Sequence, residues 1–143
     1  MNLVLRRGIA IGFAAVQCAT AALAQPARGQ AADPAALRRG EQVYTRCAAC
    51  HALEANRTGP QHCGVFGRRA GTAPGFETYS KAMRDSKIVW NERTLDVFLE
   101  SPMQAVPGTA MGYAGVKDGR ERADLIAWLR QATAPGRGCK VSR

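Results

Sequence analysis

The 143-residue sequence lacks the patterns that mark strand-built or nucleotide-binding proteins. No apolar–polar alternation reads as a strand, no segment repeats, and no Gly-rich loop is set to cradle a phosphate. Acidic residues are few: 11 Asp+Glu stand against 20 Lys+Arg. The bases are spread along the chain and do not gather into one run, which argues against a nucleic-acid surface. An acidic protein partner or a membrane surface is the better match for such a balance. Long hydrophobic runs are scarce as well. The main apolar run, Gly8 to Leu23, carries no charge, is rich in Ala and is short against the roughly 20 strongly apolar residues of a spanning helix.

That stretch has the layout of a secretion signal. Arg6 and Arg7 form a basic start, the apolar run follows, and Ala22-Leu23-Ala24 fits the small-residue cleavage pattern, which places the cut after Ala24. The other reading is an uncleaved anchor. Cys18 follows Gln17 and not a small residue, which speaks against a lipoprotein, and a bare Arg pair falls short of a twin-arginine signal. Residues 1–24 are therefore expected to be a signal peptide, 25–33 a flexible N-terminus, and 34–143 a single domain. Four cysteines remain after the cut, Cys47, Cys50, Cys63 and Cys139, in a compartment that permits disulfides.

The coarse reading of the domain is all-α. Asp33-Pro34 is a helix start, with Asp as cap and Pro at the first helical position, and the helix is expected to reach about Cys47 with Leu37, Gly40, Val43 and Tyr44 inward. Residues 52–76 carry so many Gly and Pro that no regular element fits. An irregular loop of that length is unusual in a small domain unless it wraps something large. Short helices are expected near Ser80 to Asp85 and from Asn91 to Glu100, where Pro102 limits extension. Met103 to Gly115 reads as a loop. The last helix spans about Gly119 to Thr133 with Leu125, Ile126, Trp128 and Leu129 as its apolar stripe.

Cys47-Ala48-Ala49-Cys50-His51 is the C-x-x-C-H arrangement of c-type haem attachment. Two thiols three residues apart share one side of a helical turn and can form thioethers to both vinyl groups of one haem. The adjacent His then offers its imidazole to the iron. A thiol pair alone could be a redox dithiol or half a zinc site, but the following His, the secretion signal and the lack of a second C-x-x-C oppose both. A sixth ligand suited to electron transfer would be a methionine. Met83, Met103 and Met111 are candidates. The first two serve equally well as core fillers, and Met111, in the turn-rich 106–112 loop, is modestly favoured.

With these residues in place the chain resembles the class I cytochromes c of mitochondria and of alphaproteobacterial electron transport. The resemblance covers roughly Ala36 to Ala134. Its matches run in order: Gly40 and Tyr44, the C-x-x-C-H motif, Thr58-Gly59-Pro60, Gly64 to Arg68, Ala73 to Phe76, Ile88-Val89-Trp90, Thr94-Leu95, Pro107-Gly108-Thr109, Met111, and Arg122 to Leu129. It implies three main helices plus short helices and loops around one covalent haem c. It implies His51 and Met111 as iron ligands, and a Pro60 carbonyl that accepts from the axial histidine's other nitrogen. Arg68 and Trp90 would lie near a buried propionate, with Tyr79 a further candidate. The plainer readings are a solvated arginine and a core tryptophan. Gly40 and Tyr44 would meet Leu125 and Trp128 where the terminal helices cross.

Several positions depart from the family. Phe98 stands where a Tyr commonly bonds the methionine sulfur, and Tyr113 stands where an aromatic, often Phe, covers the haem edge. The stretch from Phe76 to Met83 is one residue longer than usual. His62 replaces a buried aliphatic residue and is read as structural. In this fold the loop holding Cys63 passes the end of the last helix, so the resemblance implies a Cys63–Cys139 disulfide; two free thiols are the other reading. The basic ring that steers partners is thinned to Arg46, Arg57 and Lys117. Docking of redox partners is then expected to centre on Met103, Ala110 and Tyr113. The implied function is a monomeric periplasmic electron carrier, not an enzyme, with no small-molecule substrate. It would shuttle between a dehydrogenase or quinol-oxidising complex and a terminal oxidase, reductase or photosynthetic centre. A haem enzyme or gas sensor with a displaceable methionine, or a fixed subunit of a larger complex, are the alternatives.

Overall fold

The computed structural model describes residues 33–136 and residue 139. The expected signal peptide at 1–24 and nearly all of the expected flexible stretch at 25–33 lie outside the described residues. Five helices form, and among the described residues there is no strand, only isolated bridges such as Arg69 to Val89.

Helix α1, Pro34–Tyr44, starts where Asp33 accepts a hydrogen bond from the Ala35 amide at 3.0 Å. It stops short of the expected Cys47. The Thr45 hydroxyl donates back to the Gln42 carbonyl at 2.7 Å, and the amides of residues 45–48 bond three residues back instead of four. This tightened turn delivers Cys47, Cys50 and His51 at the end of α1. Helix α2, Lys81–Asp85, is capped by Ser80, and α3, Glu92–Glu100, by a reciprocal box in which Asn91 and Thr94 each bond the other's amide. Helix α4, Pro102–Ala105, corrects the expectation of an unbroken loop from Met103. Pro102 follows the end of α3 at Glu100, as expected, and it also opens a new turn, because the first turn of a helix needs no amide from it. Helix α5, Gly119–Ala132, is capped by Asp118.

Helices α1 and α5 cross at Gly40. A Cβ there would lie 2.6 Å from the Asp124 carbonyl carbon and 2.7 Å from Trp128 Cβ, so only glycine permits the approach. The Tyr44 and Trp128 rings lie 4.6 Å apart at the same crossing, and Arg39 clasps Asp124 through two bonds of 2.6 and 3.2 Å. Helix α3 is tied to α5 by Arg122 to Asp96 at 2.8 Å and by Arg130 to Glu92 at 2.6 Å. Val43, Leu95, Phe98, Leu99, Leu125 and Leu129 fill the core between the three long helices. The loop at 52–76 stays irregular, as expected. It is pinned near its middle: Gly67 N donates to Trp90 O at 2.8 Å, and Gly64 N donates to Thr133 O at 3.0 Å. Cys63 and Cys139 are joined by a disulfide across 5.5 Å between their Cα atoms, which links this loop to the chain beyond α5.

Candidate cofactor site

The loop and helices enclose a cavity of ≈ 520 Å³. Its walls include Cys47, Cys50 and His51 from the turn after α1, and Met111 from the 106–112 loop. The turn that gathers the first three is hydrogen-bonded through the Cys47 carbonyl, which accepts from Cys50 N at 3.1 Å and His51 N at 2.9 Å. Both thiols are free. Burial pushes the Cys47 thiol up, against the opposing pull of the Arg46 charge.

His51 donates from Nδ1 to the Pro60 carbonyl at 2.8 Å, which leaves the Nε2 lone pair uncommitted. Burial pulls the His51 pKa down and the Pro60 carbonyl resists. Gly59 lies against the imidazole: a Cβ would sit 2.7 Å from each ring nitrogen. Met111 is presented by a turn in which Thr109 N donates to Val106 O at 3.0 Å. Pro107 and Gly108, with φ +86° at the glycine, are the residue pair a type II turn requires. The Met111 amide then donates to the Thr109 hydroxyl at 3.3 Å.

Of the other methionines, Met83 is buried on α2 and also lines the cavity. Met103 is 51% exposed on α4 and lies outside the cavity, so the expectation that it could fill a core gap is wrong: the α4 turn holds it outward. Arg68, Tyr79 and Trp90 line the cavity together. The Arg68 guanidinium donates to the carbonyls of Cys63 at 2.7 Å and Gln61 at 2.9 Å, and the Tyr79 hydroxyl accepts from Ala73 N at 3.2 Å. Phe98 is buried in the wall with its ring 5.0 Å from Trp90.

No local pattern in the sequence shows what surrounds His62. Its ring stacks on His51, centroids 4.4 Å apart and planes 21° from parallel, and its Nδ1 meets the Tyr44 hydroxyl at 3.1 Å. Burial, reinforced by the charges of His51 and Arg68, pushes its pKa down to about 3. Two histidines among breakers, 11 positions apart, were the available signal.

The three basic residues expected at a docking rim all have local partners. Arg46 forms a bidentate pair with Glu121, both bonds 2.7 Å, and also touches Tyr113. Arg57 donates to Ala48 O at 2.8 Å, and Lys117 to Glu100 O at 2.6 Å.

Two thiols, an imidazole and a thioether facing one largely apolar space, with an arginine at its wall, form a donor set that suits an iron macrocycle. The comparisons agree. Residues 37–133 match the family model described as cytochrome c. A cytochrome c of Chlamydomonas reinhardtii is 48% identical over 68% of this chain and 90% of its own. A cytochrome c2 of Rhodomicrobium vannielii is 44% identical over 69% of this chain and 78% of its own. The solved structure of cytochrome cH from Methylobacterium extorquens superposes with a TM-score of 0.63 at 37% identity, covering 66% of this chain and 96% of that one. The cavity, its donors and these relatives converge: the chain belongs to the cytochrome c family, whose members bind covalently attached haem c and carry electrons.

Proposed function

We propose that the domain at 34–143 is a monomeric periplasmic single-electron carrier. One haem c would be bound through thioethers to Cys47 and Cys50, with His51 and Met111 as axial ligands. The observation that carries this reading is that all four groups line one cavity. When bound, the haem supplies a one-electron ferric/ferrous couple. The chain's own groups shape it. The Pro60 carbonyl holds the His51 tautomer that directs Nε2 at the metal and makes the ring a better donor. The 106–109 turn holds the Met111 thioether, a ligand that raises the potential. Arg68, Tyr79 and Trp90 would receive a propionate, Arg68 with its charge intact beyond its two carbonyl bonds. Residues 1–24 would direct export and be removed.

Partner docking would centre on exposed Met103 and Ala110 and on Tyr113 at the haem edge, with Arg46, Arg57 and Lys117 around them. Arg46 brings little free charge, since Glu121 neutralises it at the surface. Electron-transfer rates should therefore fall only gently with added salt. Visible spectra of the purified protein test the core of the proposal. A low-spin spectrum and no uptake of carbon monoxide by the reduced protein are expected; ready uptake would overturn Met111 ligation. N-terminal sequencing of the exported chain should begin at Gln25.

A further inference from the structure

The described residues contain two imidazoles, His51 and His62, and they lie face to face. The geometry points to His62 as a positioning residue that fixes the plane of the His51 imidazole and lowers the potential of the site. This inference rests on the reading of His51 as the axial ligand.

Three observations support it. The rings are 4.4 Å apart and 21° from parallel, an offset stack, so His62 meets a face of His51 and not merely an edge. His62 is itself held. Its amide donates to the carbonyls of Ala52 and Leu53, both at 3.1 Å, and its Nδ1 shares a hydrogen bond of 3.1 Å with the Tyr44 hydroxyl. Tyr44 is in turn braced on Trp128 at 4.6 Å, where α1 and α5 cross. The plane of the His51 imidazole is thereby referred back to the crossing of α1 and α5.

The Pro60 carbonyl fixes one point on the His51 ring, and the Gly59 backbone lies against the imidazole. Neither is a flat surface, and an aliphatic neighbour at 62 would present none. A stacked ring does. The second effect is electrostatic. The π face of an aromatic ring is the negative end of its quadrupole, and here it lies beside a ligand that would share the added positive charge of ferric iron. It therefore stabilises the oxidised state more than an alkyl group would.

The test uses haem-loaded wild type, His62→Leu, His62→Phe and Tyr44→Phe. Readouts are the ferric g values, the order and spread of the haem methyl shifts in paramagnetic proton spectra, and the midpoint potential. His62→Leu should change the methyl-shift pattern and raise the potential. His62→Phe, which restores a flat face without a nitrogen, should return the shift pattern toward wild type. Tyr44→Phe, which removes only the tether, should move the pattern in the direction of His62→Leu, and it carries the test if His62→Leu does not fold. Wild-type shift pattern and potential in His62→Leu and Tyr44→Phe, with only the melting temperature altered, would show that His62 is packing alone and overturn the inference. A wild-type ferric spectrum without an imidazole ligand would sink the ligand reading instead, and that outcome is visible before any variant is made.

Discussion

Replacing Cys63 and Cys139 together by alanine removes the covalent link between the breaker-rich loop and the chain beyond α5. Alanine is preferable to serine because Cys139 is only 5% exposed and a hydroxyl there would add its own desolvation cost. The two residues are 76 apart in sequence. The chain-entropy relation gives about 15 cal/mol/K for a loop of that length, or about 4.5 kcal/mol at 25 °C. The haem attachment proposed at Cys47 and Cys50 lies outside this loop, so it would not already close it in the unfolded chain. The folded state should change little, because Gly64 N still donates to Thr133 O and Arg68 to the residue 63 carbonyl. The loss therefore resides in a freer unfolded state. Guanidinium unfolding at fixed oxidation state, followed by far-ultraviolet circular dichroism, is the assay. A fall of about 4 kcal/mol with a steeper m-value is expected, together with a drop of roughly 20 °C in Tm. A midpoint and slope equal to wild type would refute the entropic reasoning. Labelling of both thiols in native, non-reduced protein would refute the bond itself.

Gly40→Ala should cost about 2 kcal/mol net: a Cβ against the Asp124 backbone forces α1 and α5 apart, offset by roughly 1 kcal/mol of helix propensity, and thermal unfolding reads the difference. Gly59→Ala should push the His51 ring off the Pro60 carbonyl and shift the midpoint potential of the haem-loaded protein while leaving far-ultraviolet dichroism intact; an unmoved potential would count against the tight fit. Burial pushes the Tyr44 hydroxyl up to about 12, from the 10 of a free tyrosine. The folded chain then holds a proton that the unfolded chain releases, so stability should fall as pH rises from about 10 to 12. Tyr44→Phe should flatten that alkaline limb relative to wild type in unfolding measured across pH.

Most helix starts and the turn holding Cys47, Cys50 and His51 were legible for local reasons. Asp33-Pro34, the Asn91/Thr94 box and Asp118 act within four residues, and C-x-x-C-H is a contiguous chemical unit. The crossing at Gly40 was legible through the resemblance, since only the order of matches along the chain connects Gly40 to Trp128. Helix α4 was hidden because four residues cannot show a period, and its Pro102 reads equally as a stop or a start. That ambiguity also misplaced Met103, which the short turn faces outward. The Arg46–Glu121 pair spans 75 positions, so charge counting assigned Arg46 to a docking rim without its counterion. His62 was read as filler for the same reason: its partners, Tyr44 and His51, are fixed by the path of the loop and not by their spacing.

The disulfide and the attachment thiols pose a sorting problem for maturation. Four cysteines allow six different single disulfides, and only one of the six, Cys63–Cys139, leaves both Cys47 and Cys50 as thiols. Proximity along the chain favours the wrong choice, since Cys47 and Cys50 are neighbours before anything folds. The correct pair meets only when α5 has docked and brought residue 139 back to the loop. Biogenesis must then keep the first pair reduced until the prosthetic group arrives, and an oxidant acting early would trap a short Cys47–Cys50 ring that cannot accept it.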